Sequence, residues 1–129
     1  MGVSKDRDPE IIPEDVNGRH KTYLLRARSD LIYGWGGTTA CKACGETSHN
    51  RTLHLLTQCT NSTCMTERFN IFRELEIRDK VGHDHLIGMD NGDCAKVLLG
   101  LIVYTEDDTE LYCLVSSTAS ALASMWHLF

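Results

Sequence analysis

Apolar side chains recur at helical spacing along most of this 129-residue chain. The spacing predicts one helix over residues 20–33, ended by a glycine-rich stretch, and a short helix over residues 51–58. A third helix is predicted over residues 66–78, with Thr66 as its N-cap. Four of its apolar side chains are expected to face inward: Phe69, Ile71, Phe72 and Leu75. This pattern is typical of a small domain built mainly from short α-helices.

The regions on either side of these helices differ from each other in composition. Residues 1–18 hold both prolines and many charges without periodicity, and we expect them to form a disordered, flexible arm. Residues 81–92 hold three glycines and predict a loop. Residues 93–105 and 110–129 are more apolar and predict two further helices. Together, residues 81–129 would form an apolar helical tail that packs on the preceding helices.

Five side chains that commonly bind metals lie close together in the sequence: Cys41, Cys44, His49, His54 and Cys59. The start of the chain has no apolar stretch that would indicate a secretory signal, and the longest apolar run is too short to span a bilayer. We therefore expect an intracellular protein, nuclear or cytoplasmic, with no membrane contact. Thiols stay reduced there, so clustered cysteines indicate a metal site more often than disulfides.

Zinc is the metal that this cluster favours, because a C-x2-C pair supplies two thiolate ligands from one tight turn. Cys41 and Cys44 have this spacing, and Gly45 follows where a left-handed turn residue is often needed. We favour His54 and Cys59 as the other two ligands. These two residues would lie about 140° apart around an α-helix, so Cys59 is expected at or just past the helix end.

Other ligand sets remain open at this point. His49 with His54 would give a variant of the gag-type zinc knuckle, although the loop lacks the aromatic residue that such knuckles normally contain. Cys59 with Cys64 would resemble a zinc ribbon, although the residues before Cys59 favour a helix. A further alternative is that the cysteines are buried thiols that bind no metal.

Charge is distributed unevenly along the chain, whose formal net charge is −5. Residues 19–80 hold ten basic and six acidic side chains, whereas residues 81–129 hold one basic and seven acidic side chains. The excess positive charge surrounds the Cys/His cluster, and phosphate binding depends on such local patches. Six cations are candidate contacts to nucleic-acid phosphates: Arg26, Arg28, Lys42, Arg51, Arg68 and Arg73.

Two stretches of the cluster, "CKACGE" and "RTLHLLTQC", are flanked by "KTYLLRARSDLIYG", "TERFNIFREL" and "AKVLLGLI". This arrangement resembles the C-terminal Cys-Cys-His-Cys segment of non-LTR (LINE-type) retrotransposon reverse transcriptases. In that family the segment lies beyond the polymerase part and helps to hold template RNA or target DNA. The spacer before the histidine ligand is longer here, at residues 47–50, and it contains His49.

These observations predict a mainly α-helical small domain, with residues 19–80 held together by a zinc knuckle-like site and a disordered arm before them. The resemblance implies a non-catalytic module derived from a reverse transcriptase that binds RNA or DNA. No enzyme activity is expected, because a closed zinc site leaves no position for a catalytic water. The polymerase signature is also missing, and we interpret its near match at residues 104–108 as a surface turn.

Two alternatives to nucleic-acid binding follow from the same sequence. The apolar C-terminal helices, with Trp126, would suit a protein-docking face for a parent polymerase or another protein. The chain could also be an inactive retroelement remnant. The acidic tail favours these two alternatives, whereas the basic cluster favours nucleic acid.

Overall fold

The computed structural model describes residues 18–33, 38–102 and 104–128. About 74% of the described residues are helical, in six α-helices, which confirms the predicted mainly α fold with its Cys/His cluster. The predicted disordered arm lies outside the described residues, except for Gly18. None of the helices in the described part of the chain is long and apolar enough to cross a membrane.

The first half of the fold is a long helix followed by a small hairpin and a short helix. Its elements are α1 (Gly18–Tyr33), β1 (Thr39–Ala40), β2 (Thr47–Ser48) and α2 (Arg51–Leu53), which continues as a π-helical turn (His54–Gln58). The two strands are antiparallel, with Thr39 opposite Ser48 and Ala40 opposite Thr47. The hairpin therefore returns the chain to the end of α1 before α2 begins.

The second half consists of four helices in succession. These are α3 (Ser62–Arg78), α4 (Lys80–Ile87), α5 (Asn91–Leu98) and α6 (Asp108–Met125), followed by a 3-10 turn (Trp126–Leu128). Helix α5 is shorter than the helix predicted over residues 93–105. After α5 the chain passes through Gly100, whose φ of +78° favours glycine over any L side chain.

The prediction of a loop over residues 81–92 is wrong, because most of this segment belongs to α4. Asp79 caps the helix by accepting a hydrogen bond from the backbone N–H of Gly82 at 3.0 Å. Leu86 anchors it, since its side chain is fully buried in the core. The glycines of the segment favour a loop locally, but burial of Leu86 stabilises the helix through tertiary packing.

Helix α3 begins four residues earlier than predicted. Its N-cap is Asn61 and not Thr66, because the Asn61 side chain accepts a hydrogen bond from the backbone N–H of Thr63 at 2.9 Å. Three of its predicted inward side chains are buried or half-buried: Ile71, Phe72 and Leu75. The prediction was wrong for Phe69, whose side chain is 63% exposed.

Helix α6 lies at the centre of the packing, against both α1 and α3. Arg78 at the end of α3 pairs with Glu110 near the start of α6 at 3.1 Å. Earlier in α3 and later in α6, the Ser117 hydroxyl lies 3.3 Å from a carboxylate oxygen of Glu74. The two helices therefore run antiparallel. The apolar tail of the sequence thus contributes much of the core, with nine of the 18 residues of α6 buried.

Tyr104 closes the corner between α3, α4 and α6. Its ring packs so closely on Gly82 that a Cβ at that glycine would lie 2.7 Å from the ring. Burial, with the neighbouring carboxylates of Asp79 and Glu110, raises the pKa of Tyr104 to about 12. Its hydroxyl is buried without a hydrogen-bond partner among the described residues. Residues 106–108 of the predicted surface turn are exposed, but Tyr104 is a half-buried packing residue.

We expect Tyr104→Phe to leave stability at pH 7 unchanged or to raise it, because the variant removes a buried hydroxyl that lacks a partner. The raised pKa adds a pH dependence. Between about pH 10 and 12 the unfolded tyrosine ionises and the folded one does not, so the wild-type protein loses stability as the pH rises through this window. Denaturant unfolding at pH 8 and pH 11 should show a smaller alkaline loss for Tyr104→Phe. An equal loss in both proteins would contradict this account.

Candidate metal centre

The β1–β2 hairpin places Cys41 and Cys44 on one tight turn. The backbone N–H of Gly45 donates to the Cys41 carbonyl, and the N–H of Cys41 donates to the Glu46 carbonyl, both at 2.8 Å. Gly45 has a φ of +82°, which is the left-handed conformation expected from the sequence. These backbone bonds hold the two thiols on the same side of the turn.

A π-helical turn brings His54 and Cys59 to the same place. The N–H of Cys59 donates to the carbonyl of His54, five residues earlier, at 2.7 Å. In an α-helix the two side chains would lie about 140° apart, whereas the wider turn brings them close to alignment. Cys59 then leaves the helix in an extended conformation, with φ −62° and ψ 132°. The sequence predicted the helix end at this position but not its π-helical geometry.

The four side chains converge with their ligand atoms within 4.8 Å of one another. Cys41 Sγ lies 3.9 Å from Cys59 Sγ, and Cys44 Sγ lies 3.2 Å from His54 Nε2. A zinc tetrahedron with bonds of about 2.0–2.3 Å has edges of about 3.3–3.8 Å. The cluster therefore has the donor atoms and nearly the dimensions of a four-coordinate metal site.

Burial affects the protonation of these thiols. It raises the pKa of Cys41 and of Cys59 above the ordinary value for a thiol. For Cys44 burial acts in the same direction, but hydrogen bonds from the Glu46 backbone and the neighbouring thiols outweigh it, so its pKa is lowered. A metal ion binds thiolates, so its uptake must displace protons from the buried thiols, and affinity falls as the pH is lowered.

The start of α2 is fastened to the end of α1 by polar side chains. Asn50 caps α2 by accepting from the N–H of Leu53 at 2.9 Å, and its amide donates to the carbonyl of Asp30 at 3.0 Å. The Asp30 carboxylate accepts from the N–H of Thr52 at 2.8 Å. These bonds fix the direction of α2 and hence the position of His54. The sequence analysis did not identify them.

The remaining candidate ligands are outside this group. His49 is exposed on the hairpin and does not belong to the group of four among the described residues. Cys64, in the first turn of α3, is fully buried and interacts with the Cys59 thiol, and burial raises its pKa. The geometry favours the set with His54 and Cys59 over either alternative pair.

The six candidate cations divide into two groups. Three are exposed and accessible to a ligand: Arg26, Lys42 and Arg73. Arg28 is only 4% exposed, and its Nε donates to the carbonyl of Leu99 at 2.9 Å, which leaves it little access to a phosphate. Arg51 and Arg68 are half-buried and contact other parts of the protein.

Arg51 belongs to a row beside the cluster in which two neighbouring rings lie between two cations. The guanidinium of Arg19 lies 5.7 Å from the ring centroid of Tyr23, whose ring lies 6.2 Å from that of Trp126. The guanidinium of Arg51 lies 4.7 Å from the Trp126 centroid. We call these four residues the cation–aromatic row. The sequence analysis did not identify Arg19 and Tyr23 as binding residues, because the predicted helix began at residue 20 and so left out the i, i+4 pair.

An apolar groove of about 410 Å³ lies on another face, between α3, α4 and the π-helical turn. Three of its lining side chains are more than half exposed: Met65, Phe69 and Ile87. This groove is one apolar surface of the described residues, and it differs from the C-terminal docking face that the sequence suggested.

We expect Cys59→Ser to lose a bound metal at a much lower chelator concentration than His49→Ala. The first substitution removes one of four converging donors, whereas the second alters an exposed side chain outside the group. Titration of metal-loaded protein with a chromogenic chelator measures both. The reverse order would favour the ligand set that contains His49.

Comparison of the chain with protein-family models, curated proteins and solved structures finds no match. The resemblance to the reverse transcriptase segment therefore rests on the sequence motifs alone and stays a prediction. The fold and the side-chain geometry establish a cluster of Cys41, Cys44, His54 and Cys59 that could hold a metal ion.

Proposed function

We propose that Cys41, Cys44, His54 and Cys59 hold one Zn²⁺ ion in a structural site. Three thiolates and one imidazole are a donor set that zinc prefers, and four protein ligands complete its tetrahedral coordination. A filled coordination shell leaves no position for a reactive water, which supports a non-catalytic role. The observation that carries this proposal is the convergence of the four ligand atoms within 4.8 Å.

We further propose that the domain binds single-stranded nucleic acid at the end where the metal cluster lies. The cation–aromatic row supports this, because single strands are bound by combining cations with rings on which bases stack. Trp126 is close to the cluster, since the carbonyl of Leu128, two residues later, lies 4.0 Å from Cys41 Sγ. Arg26 is exposed one turn beyond Tyr23 on α1 and adds a cation that phosphates can reach.

The distribution of charge along α6 also supports nucleic-acid binding at the end of the molecule where the metal cluster lies. The acidic residues 106–108 and Glu110 lie at the start of the helix, whereas no Asp or Glu follows Glu110 in the sequence. An 18-residue helix is about 27 Å long, which is several times the Debye length of about 8 Å at physiological salt. These four acidic side chains therefore lie too far along α6 to repel a polyanion at the cation–aromatic row.

Single strands suit this surface better than a duplex does. Bases in a duplex are already stacked on one another, so their faces are not available to Tyr23 or Trp126. A module that holds an unpaired strand is also compatible with derivation from the C-terminal region of a retrotransposon reverse transcriptase, which we retain as a proposal based on the motifs.

Removal of zinc should abolish most of the helical circular-dichroism signal, and one equivalent of zinc per chain should restore it. The cluster joins the hairpin to the end of α2, and short helices are marginally stable without tertiary packing. Zinc binding contributes folding free energy on the order of 10 kcal/mol in small domains. If chelation leaves the helical signal and the melting temperature unchanged, the structural role of zinc is wrong.

Binding to a short labelled single-stranded RNA should weaken steeply with salt in a fluorescence-anisotropy titration. Each phosphate contact contributes about −0.7 to the slope of log K against log salt for single strands. Arg26→Gln should reduce the slope by about one such contact and weaken binding severalfold. Unlabelled duplex RNA of the same sequence should compete poorly.

Lys80→Gln is the charge-matched control, because Lys80 is exposed at the start of α4, on the corner where Tyr104 packs. Its removal should leave affinity and salt slope unchanged. Equal losses for Arg26→Gln and Lys80→Gln would indicate non-specific attraction and contradict the proposed surface. Absence of binding by folded, zinc-loaded protein would also contradict it and would direct attention to the apolar groove as a protein-binding site.

A further inference from the structure

Arg68 connects α3 to the end of the π-helical turn. Its Nη1 donates to the carbonyl of Leu55 at 3.1 Å, and its Nη2 donates to the carbonyl of Cys59. A helix end leaves its last carbonyls without N–H partners from a following turn. The guanidinium of Arg68 supplies those partners from outside the helix, and it does so at one of the four converging residues.

Cys59 needs such a constraint more than the other candidate ligands. The hairpin fixes Cys41 and Cys44 through its own backbone bonds, and His54 lies within a continuous helix. Cys59 instead stands where the chain turns away, in an extended conformation, and a small rotation there would move its thiol away from the cluster. The hydrogen bond to its carbonyl limits that rotation.

Arginine suits this role because its donors form a rigid planar fork. The Arg68 side chain donates to the Leu55 and Cys59 carbonyls at the same time, so it fixes the position of the Cys59 carbonyl relative to that of Leu55. A lysine is a single point donor and cannot hold both carbonyls in a fixed relation. Arg68 is also half-buried, so these hydrogen bonds are partly protected from competing water.

We propose that Arg68 is a positioning residue of the metal centre, holding Cys59 in its ligating orientation while the ion is bound. The inference rests on the proposed zinc site and assigns Arg68 a role other than phosphate contact. Partners that orient metal ligands typically change metal affinity by about 10- to 100-fold when they are mutated.

Zinc release into excess chromogenic chelator tests the proposal when wild type, Arg68→Met and Arg68→Lys are compared. Methionine keeps the apolar stem and removes every donor, so release should be at least about tenfold faster. Lysine should restore only part of the difference. In the cobalt-substituted protein, Arg68→Met should also alter the visible absorption bands, which report ligand geometry.

Two control variants separate positioning from stability and from charge. Ile71→Val shortens a buried side chain of the same helix and lowers stability without touching the site. Arg73→Gln removes an exposed cation one turn further on. Both should retain the wild-type cobalt spectrum and a release rate close to wild type.

Release from Arg68→Met that is no faster than from Ile71→Val, together with an unchanged cobalt spectrum, would overturn the role of Arg68. Failure of the wild-type protein to take up one equivalent of zinc or cobalt is a different result. It would overturn the proposed zinc site itself, and this inference with it.

Discussion

His54 and Cys59 must point to one place although four residues separate them, and the local fold is built around this constraint. An α-helix would direct them to different sides, so the chain widens into a π-helical turn and then leaves the helix at Cys59. The hairpin presents Cys41 and Cys44 to the same point. The helices on either side, α1 and α3, hold the two ends of this turn in register through Asn50 and Arg68.

The other helices stabilise that arrangement by packing against α1 and α3. Helix α6 packs against α1 and α3 at once and provides the apolar surface on which both can rest. A chain of this size buries a small core, and a metal centre adds stability where apolar area is limited. Two sources of stability would then act together: apolar packing around α6, and coordination bonds at the cluster.

The sequence predicted the helical class, the long helices and the group of four side chains, because these depend on local periodicity and on spacing within a short segment. It missed what depends on contacts between distant residues. The helix at Lys80–Ile87 forms because Leu86 is buried in the core, which its glycine content does not indicate. Phe69 was expected inside from its spacing, yet only the packing of neighbouring helices decides which face of α3 is covered. Likewise, Arg28 and Leu99 are 71 residues apart, and their hydrogen bond could not be read from the sequence.

The division of charge along α6 makes the domain an electric dipole, although its net charge is negative. An electric field exerts a torque on such a molecule, so near a polyanion it would rotate before it makes contact. Rotation presents the ring-bearing end first and keeps the acidic end away from the polymer. Encounters would then begin in one orientation, and the outward acidic ends of neighbouring bound molecules would repel one another, which limits crowding along a single polymer.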